Sequence, residues 1–420
     1  MCALSAEWLR IDSERRSVSI DPTHPEFYND PYAAYERIRS ATPVFYWEEQ
    51  KLWCFMNAAD VGTILRDRRF GRELLPLPGQ PVELKPASGH LSAFDAVNRD
   101  SMLEREPPVH TRLRTLVNRA FVSRNIERLR PKISILAHEL VDRMEAAKGC
   151  ELIGAYATPI PVVVIAELLG IPADMSPQLV DWSHRMVAVF QLGRTREKED
   201  QAEAATREFS AFLKEYFNER RRNPADDLIS HLLAVEATGE KLSEDEMIAT
   251  CILLLNAGHE GTVHSIGNGV KTLLETGTDT RAAFATEAAT EATVEECLRF
   301  DPPLHMFNRV AQEDVEVAGV AMPRGTEIAL MYGAANRDPA KYPRANVFDV
   351  GRPLVGAASA HASFGGGIHF CLGAPLARLE LQLAMPVLFQ RLPGIFLRER
   401  PVYRDTYHFH GLTSLELGWP

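Results

Sequence analysis

Apolar residues along this chain recur mainly at three- and four-residue intervals, the spacing that lines one face of an α-helix. That period predicts helices over residues 26–42, 124–146, 160–170, 178–190, 201–222, 226–236, 244–275, 287–300 and 374–392. Shorter runs near 43–56, 308–330 and 395–418 read as strands. No repeat, low-complexity tract or linker divides the chain. The pattern therefore predicts one mainly helical domain over residues 1–420 with a small β component, residues 1–24 forming an N-terminal extension. Two stretches break the helical period, "RELLPLPGQPVELKPASGHLSAF" at 72–94 and "QLGRTREKEDQ" at 191–201. Both read as mobile loops, and long loops in compact domains are usually functional, often lids.

The longest periodic stretch begins at Ser243-Glu244-Asp245-Glu246, where serine followed three residues later by glutamate is a capping-box signature. From there a helix of roughly 30 residues, about 45 Å long, is expected. So long a helix must cross the middle of the molecule. Yet its centre reads "LLLNAGHEGTVHSIG", residues 253–267, where glycines weaken the helix and a carboxylate carries a desolvation cost.

Composition narrows the function classes. At 45% hydrophobic and 25% charged residues, the 420-residue chain can bury a sizeable core. Its formal net charge of -11 argues against nucleic acid as the main partner, because phosphate binding wants a basic face. The first residues lack the basic flank and apolar run of a signal peptide, and no apolar stretch approaches the ~20 residues needed to cross a bilayer. A cytoplasmic protein without a membrane anchor is expected. The cysteines, at 2, 54, 150, 251, 297 and 371, are too scattered for a CxxC zinc pattern or a disulfide framework.

Two segments carry candidate chemistry. "HEGTVH" invites comparison with the zinc motif HExxH, which needs histidines four apart on one helical face. Here His259 and His264 are five apart and point about 140° away from each other, so that pair fails as a zinc motif. Glu260 is harder to set aside, because a buried carboxylate tends to be paired or functional. The second segment is "FGGGIHFCLGAPLARLE", residues 364–380. Its glycines let backbone press against something large, and an apolar helix pattern follows Cys371. A thiol at a helix N-terminus has its thiolate stabilised by the dipole and free N–H groups. A nucleophile and an axial metal ligand both fit this layout.

The segment Phe364, Gly365, Gly367, His369, Cys371, Gly373 resembles the haem-binding loop of the cytochrome P450 family at every fixed position. "ECLR" is similar to the family's Glu-x-x-Arg pair, as Glu296 and Arg299. "ANRDPAKYP" with "FDVGR" resembles its meander, with Arg352, and "EPPVHTRLR" resembles the helix that reaches the haem propionates. The likeness runs from about residue 25 to the C-terminus and is closest to the soluble bacterial type. It implies a triangular, mainly helical domain with a long central helix and minor antiparallel sheets.

By that resemblance, Cys371 is the metal ligand, to the iron of haem b. His110, Arg114, Arg309 and His369 face the propionates, with Phe364 and Gly373 completing the cofactor loop. Glu296, Arg299 and Arg352 form a buried structural ion network. Expected activity is monooxygenation of a mainly apolar small molecule by O2, with electrons ultimately from NAD(P)H. A separate ferredoxin or flavodoxin and its reductase would deliver them, docking on the basic segment "HTRLRTLVNRAFVSRNIERLRPK". Glu260 would relay protons through water toward the oxygen site. The substrate pocket would draw on Leu254, Ala257, Gly258, Leu304, Met306, Phe307, Phe409 to Leu412 and the 72–94 loop. Rival readings are a haem-thiolate enzyme of other chemistry (C–C cleavage, coupling, dehydration) and a non-catalytic haem sensor or ligand carrier.

One departure stands out at the centre of the long helix. The family places a threonine directly after the acid. Here that position is Gly261, and Thr262 follows one residue late, turned about 100° around the helix. Either the helix bulges to bring Thr262 into place, or the alcohol comes from water or from a substrate hydroxyl.

Overall fold

The computed structural model describes residues 8–77, 89–118, 121, 126–191, 193–236, 242–353 and 361–420. The central helix spans Glu244–Glu275, as its capping box and period predict. Ser243 Oγ accepts from the Glu246 N–H at 3.1 Å, and the Glu246 carboxylate accepts from the Ser243 N–H at 2.9 Å. Around it pack the helices Ser92–Asp100, Pro159–Leu169, Ser176–Val187, Glu287–Phe300 and Ala374–Arg391.

Several predicted boundaries move for local reasons. The helix expected over 26–42 is two helices, Pro25–Asn29 and Pro31–Ala41. Between them Asp30 leaves helical geometry and its carboxylate accepts from the Tyr32 N–H. Pro31, which has no N–H to donate, opens the second helix. The helix expected from residue 201 starts at Arg196, because Thr195 accepts from the Lys198 N–H and supplies an N-cap. The connector at 191–201 is therefore half helical. The 72–94 loop gives way to helix at Ser92, and residues 78–88 of it lie outside the described residues. The start of the helix expected over 124–146 also lies outside them; the described helix is Arg130–Glu145.

The minor antiparallel sheets expected are present, and the largest sheet adds two parallel pairings to them. Its strands run in the order Leu9–Asp12, Ser17–Ile20, Val44–Trp47, Leu52–Phe55, Glu327–Leu330, Phe307–Ala311, Phe70–Gly71. Ser17–Ile20 lies parallel to Val44–Trp47, and Glu327–Leu330 parallel to Leu52–Phe55. Each parallel pair is separated by helical chain, as a parallel connection requires. Residues 9–20, placed by the sequence in an N-terminal extension, form the first two strands and bury Leu9, Val18 and Ile20.

Two buried polar clusters tie the sheet lobe to the helices. Arg299, 1% exposed, donates through Nε and Nη2 to both oxygens of Glu296 at 2.7 Å. Its Nη1 donates to the carbonyls of Asn336 and Ala345 at 2.8 and 3.0 Å. Arg352 Nε reaches both Glu296 oxygens at 3.1 and 3.2 Å. In the second cluster, buried Asp301 accepts from Tyr32 Oη at 2.8 Å and from Tyr403 Oη, with His410 Nε2 at 3.4 Å. Asn268 of the central helix donates to the carbonyls of Asp301 and His410. The C-terminal segment is thus fastened beside the central helix.

Removing one member of a buried ion network leaves the other charge unpaired, typically costing ~3–5 kcal/mol. Arg299→Leu is expected to lower unfolding free energy by about that amount, read from urea denaturation followed by circular dichroism. A loss below about 1 kcal/mol would show that Arg352 alone neutralises Glu296.

Candidate functional site

The loop that carries Cys371 is shaped by its glycines. Gly365 and Gly367 both have φ of 66°, which disfavours any side chain. At Gly367 a Cβ would also run into the Leu65 carbonyl. The Cys371 N–H donates to the Phe364 carbonyl at 2.9 Å and closes the loop. The helix Ala374–Arg391 begins three residues later. Burial raises the Cys371 thiol's pKa, while the N–H groups of Gly373 and Ala374 and the charges of Arg114 and Arg378 pull it down. Arg378 stacks over the Phe364 ring at 4.5 Å and pairs with Glu295 at 2.5 Å. Burial works against ionisation of Glu295, but hydrogen bonds from Arg378 and His361 bring its pKa down to about 2.

Beside this loop lies a cluster of basic side chains. His110 is 3% exposed, its Nε2 has no hydrogen-bond partner, and its ring stands 4.4 Å from that of His369. Burial, helped by the charges of His369 and Arg114, lowers the His110 pKa to about 4. Arg114 donates to the Phe370 carbonyl at 2.7 Å. Buried Arg309 donates to the neighbouring Asn308 carbonyl at 2.9 Å and also hydrogen-bonds with the Tyr332 hydroxyl. Glu106, which the sequence reading quoted without assigning, accepts from the Arg72 N–H at 2.7 Å and lies 2.9 Å from His369 Nε2. Arg72 was also missed; its guanidinium stacks over Phe307 at 4.3 Å. A set of buried and half-buried basic side chains with an orphaned imidazole nitrogen, next to a thiol on a glycine loop, fits a large group that carries carboxylates and takes a sulfur ligand.

The middle of the central helix is open on one side. Ala257 is exposed and Gly258 and Gly261 are half-buried, whereas His259, Glu260, Thr262 and Val263 are buried. Nothing lies within 4 Å of a Cβ built on Gly261. The helix continues unbroken through this stretch, so no bulge brings Thr262 toward the position of Gly261. Instead Thr262 Oγ1 donates to Glu380 Oε2 at 3.3 Å.

Glu260, 4% exposed, stands among three imidazoles. His264 Nε2 lies 3.1 Å from Oε2, while His184 Nε2 and His259 Nδ1 lie 3.4 and 4.0 Å from Oε1. Burial favours the neutral acid, but the hydrogen bond from His264 and the charge of all three imidazoles outweigh it and hold Glu260 well below the usual carboxylate range. His184 belongs to the helix Ser176–Val187, so no motif within the central helix announced it.

The expected pocket residues divide. Leu304 and Phe409 form an isolated bridge pair, and Leu254 belongs to the main core. Met306 packs instead into the core of the sheet lobe with Phe27, Trp47 and Tyr407. Phe307 lies beneath Arg72 and Arg309, on the side of the basic cluster.

Glu380 is fully buried with Thr262 as its one side-chain partner among the described residues, and burial pushes its pKa up to about 8. A carboxyl whose folded pKa lies above its unfolded value binds more protons when folded. Its contribution is complete below the unfolded value of 4.5 and is lost as pH rises toward 8. Glu380→Gln keeps the contact with Thr262 and removes that loss. The fall in Tm between about pH 6 and about pH 8.5 should therefore be smaller in the variant, by several degrees if a few kcal/mol are involved. Parallel curves would show that Glu380 is ionised and compensated.

Residues 287–400 match the family profile described as Cytochrome P450. A "Biotin biosynthesis cytochrome P450" of Bacillus subtilis (strain 168) is 35% identical over 393 residues, 93% of this chain and 96% of the relative. A "6-deoxyerythronolide B hydroxylase" of Saccharopolyspora erythraea is 34% identical, over 93% of this chain and 96% of the relative. Among solved structures, "P450BioI in complex with hexadec-9Z-enoic acid ligated Acyl Carrier Protein" superposes with a TM-score of 0.86 at 34% identity, covering 94% of this chain and 100% of the other. "Epothilone D-bound Cytochrome P450epoK" gives a TM-score of 0.86 at 30% identity, covering 95% and 98%. The chain belongs to the cytochrome P450 family: it is a monooxygenase that uses haem b, O2 and electrons drawn ultimately from NAD(P)H through redox partners to oxidise a small molecule.

Proposed function

We propose that Cys371 is the thiolate ligand of the haem iron and that His110, Arg114, Arg309 and His369 receive its propionates. The observation that carries this reading is the closed glycine loop, which presents Cys371 Sγ to two backbone N–H groups and two guanidinium charges. Bound haem supplies the redox chemistry that activates O2, and thiolate ligation favours O–O cleavage. The chain's own residues bind, orient and move protons. Glu260, ionised and held by His264, accepts a hydrogen bond from water and orders it, so that a proton entering from solvent passes along that water toward the oxygen site. Glu380, kept neutral by burial, stays a hydrogen-bond acceptor for Thr262 and leaves that hydroxyl turned away from the open face.

The alcohol that the family places after the acid is supplied here by water or by a hydroxyl of the substrate. Supporting this are the open space at Gly261 and the engagement of Thr262 by Glu380. Leu254, Ala257, Gly258, Leu304 and Phe409 line the site for a mainly apolar substrate carrying such a hydroxyl. The relative named 6-deoxyerythronolide B hydroxylase and the structure titled as epothilone D-bound agree with a small-molecule substrate.

Electrons come from a ferredoxin or flavodoxin docking on the cysteine-loop side, where Ile368 and Phe370 are 42% and 41% exposed. Charge steering is weaker than the basic segment suggests, because Arg112, Arg128, Arg130 and Lys132 pair with Glu246, Asp226, Glu127 and Glu167. A cytoplasmic location agrees with the free thiols of Cys54, Cys150, Cys251, Cys297 and Cys371. Among the described residues no helix is long and apolar enough to cross a membrane.

Reduced protein treated with CO is expected to show the Soret band of thiolate-ligated haem, and Cys371→Ala to lose it. A variant that keeps this band would remove Cys371 as ligand. With the native substrate, found by screening haem spin-state shifts, Gly261→Thr is expected to leave product formed per NAD(P)H consumed unimproved. A sharp gain in that ratio would refute the water or substrate hydroxyl.

A further inference from the structure

The pair His259 and His264 cannot form a zinc motif on one helix face, but the fold brings a different histidine to the same carboxylate. One ring nitrogen each of His184 and His259 and one Glu260 oxygen all lie within 4.8 Å of one another. His184 and Glu260 are 3.4 Å apart, His259 and Glu260 4.0 Å. Tetrahedral ligands about 2.1 Å from a zinc ion stand about 3.4 Å from each other, so one edge is already in place and small side-chain rotations close the rest. The second carboxylate oxygen faces His264 Nε2 at 3.1 Å, the kind of outer contact that orients a ligating carboxylate. His259 Nδ1 otherwise meets only Ser183 Oγ, at a long 3.4 Å, and its buried Nε2 is unpartnered.

Access distinguishes this cluster from the other one in the fold. Asp301, His305 and His410 are similarly close but wholly buried, and both His305 nitrogens already face tyrosine hydroxyls. In the first cluster the His184 side chain is 46% exposed, which gives an ion a path from solvent without opening the core.

We propose that His184, His259 and Glu260 form a three-ligand site for one divalent transition-metal ion of the zinc, nickel or copper class, leaving a fourth position for water. Imidazole ligands select these ions over magnesium and calcium. Occupancy would convert the Glu260 carboxylate into a metal ligand and slow turnover reversibly; this consequence, unlike binding, rests on the proton role proposed for Glu260.

The test uses untagged, haem-loaded protein freed of metal by chelator and titrated with Zn2+ against a fluorescent competing chelator. One ion per chain is expected at this site, with affinity reduced at least ~10-fold in His184→Ala and unchanged in His231→Ala, a control at an exposed histidine. X-ray absorption at the zinc edge should show only nitrogen and oxygen neighbours. Equal affinity in His184→Ala, or sulfur in the coordination shell, would overturn the site. Zinc bound as predicted with turnover unaffected would keep the site and sink the proton role of Glu260, so the two readings fail separately.

Discussion

A guanidinium as deeply buried as that of Arg299 is tolerable only if its N–H groups all find acceptors, and satisfying them organises the haem side of the molecule. Two bonds go to Glu296, one turn back on its own helix. The others reach carbonyls of Asn336, Ala345 and Val347, pulling an otherwise irregular stretch of chain against the helix. That stretch then holds the cysteine loop. Asn336 donates to Ser363 Oγ at 2.8 Å and accepts from the Ala362 N–H at 2.6 Å, while Ser363 Oγ donates to the Leu298 carbonyl. The start of the loop that presents Cys371 is therefore located by hydrogen bonds traceable to one buried charge.

Along the central helix, two buried carboxylates, one on it and one packed against it, are driven to opposite protonation states. Both are buried, so desolvation alone would make both neutral. Glu260 has three imidazoles around it and stays ionised; Glu380 has one hydroxyl and does not. Partners supplied by the fold, not burial, decide which of the two stays charged. The separation comes from the helix Ser176–Val187 and from the central helix itself, since His184 lies on the first and His259 and His264 on the second.

How much of this was legible beforehand depended on how local its cause is. The central helix and Glu287–Phe300 were found to the residue because caps and period are written within the segment itself. The strands near residues 9–20 were not found. What makes them strands is burial of Leu9, Val18 and Ile20 against chain distant in sequence, and short β segments take their identity from such partners. The Cys371 loop, Glu296, Arg299 and Arg352 could be read because spaced motifs carry them. His184, Glu106 and Glu380 gain their meaning only from neighbours that folding supplies.

Gly367 has one further consequence. Its missing side chain leaves room for the Leu65 carbonyl, which closes the helix Ala58–Ile64 some three hundred residues earlier in the chain. The cysteine loop is therefore a lock whose key is cut elsewhere: its contour is matched to one backbone turn of the sheet lobe rather than stored within its own residues. Loop and turn form a single structural unit. A loop transplanted between relatives will keep its shape only where the turn that meets it presents the same carbonyl at the same height.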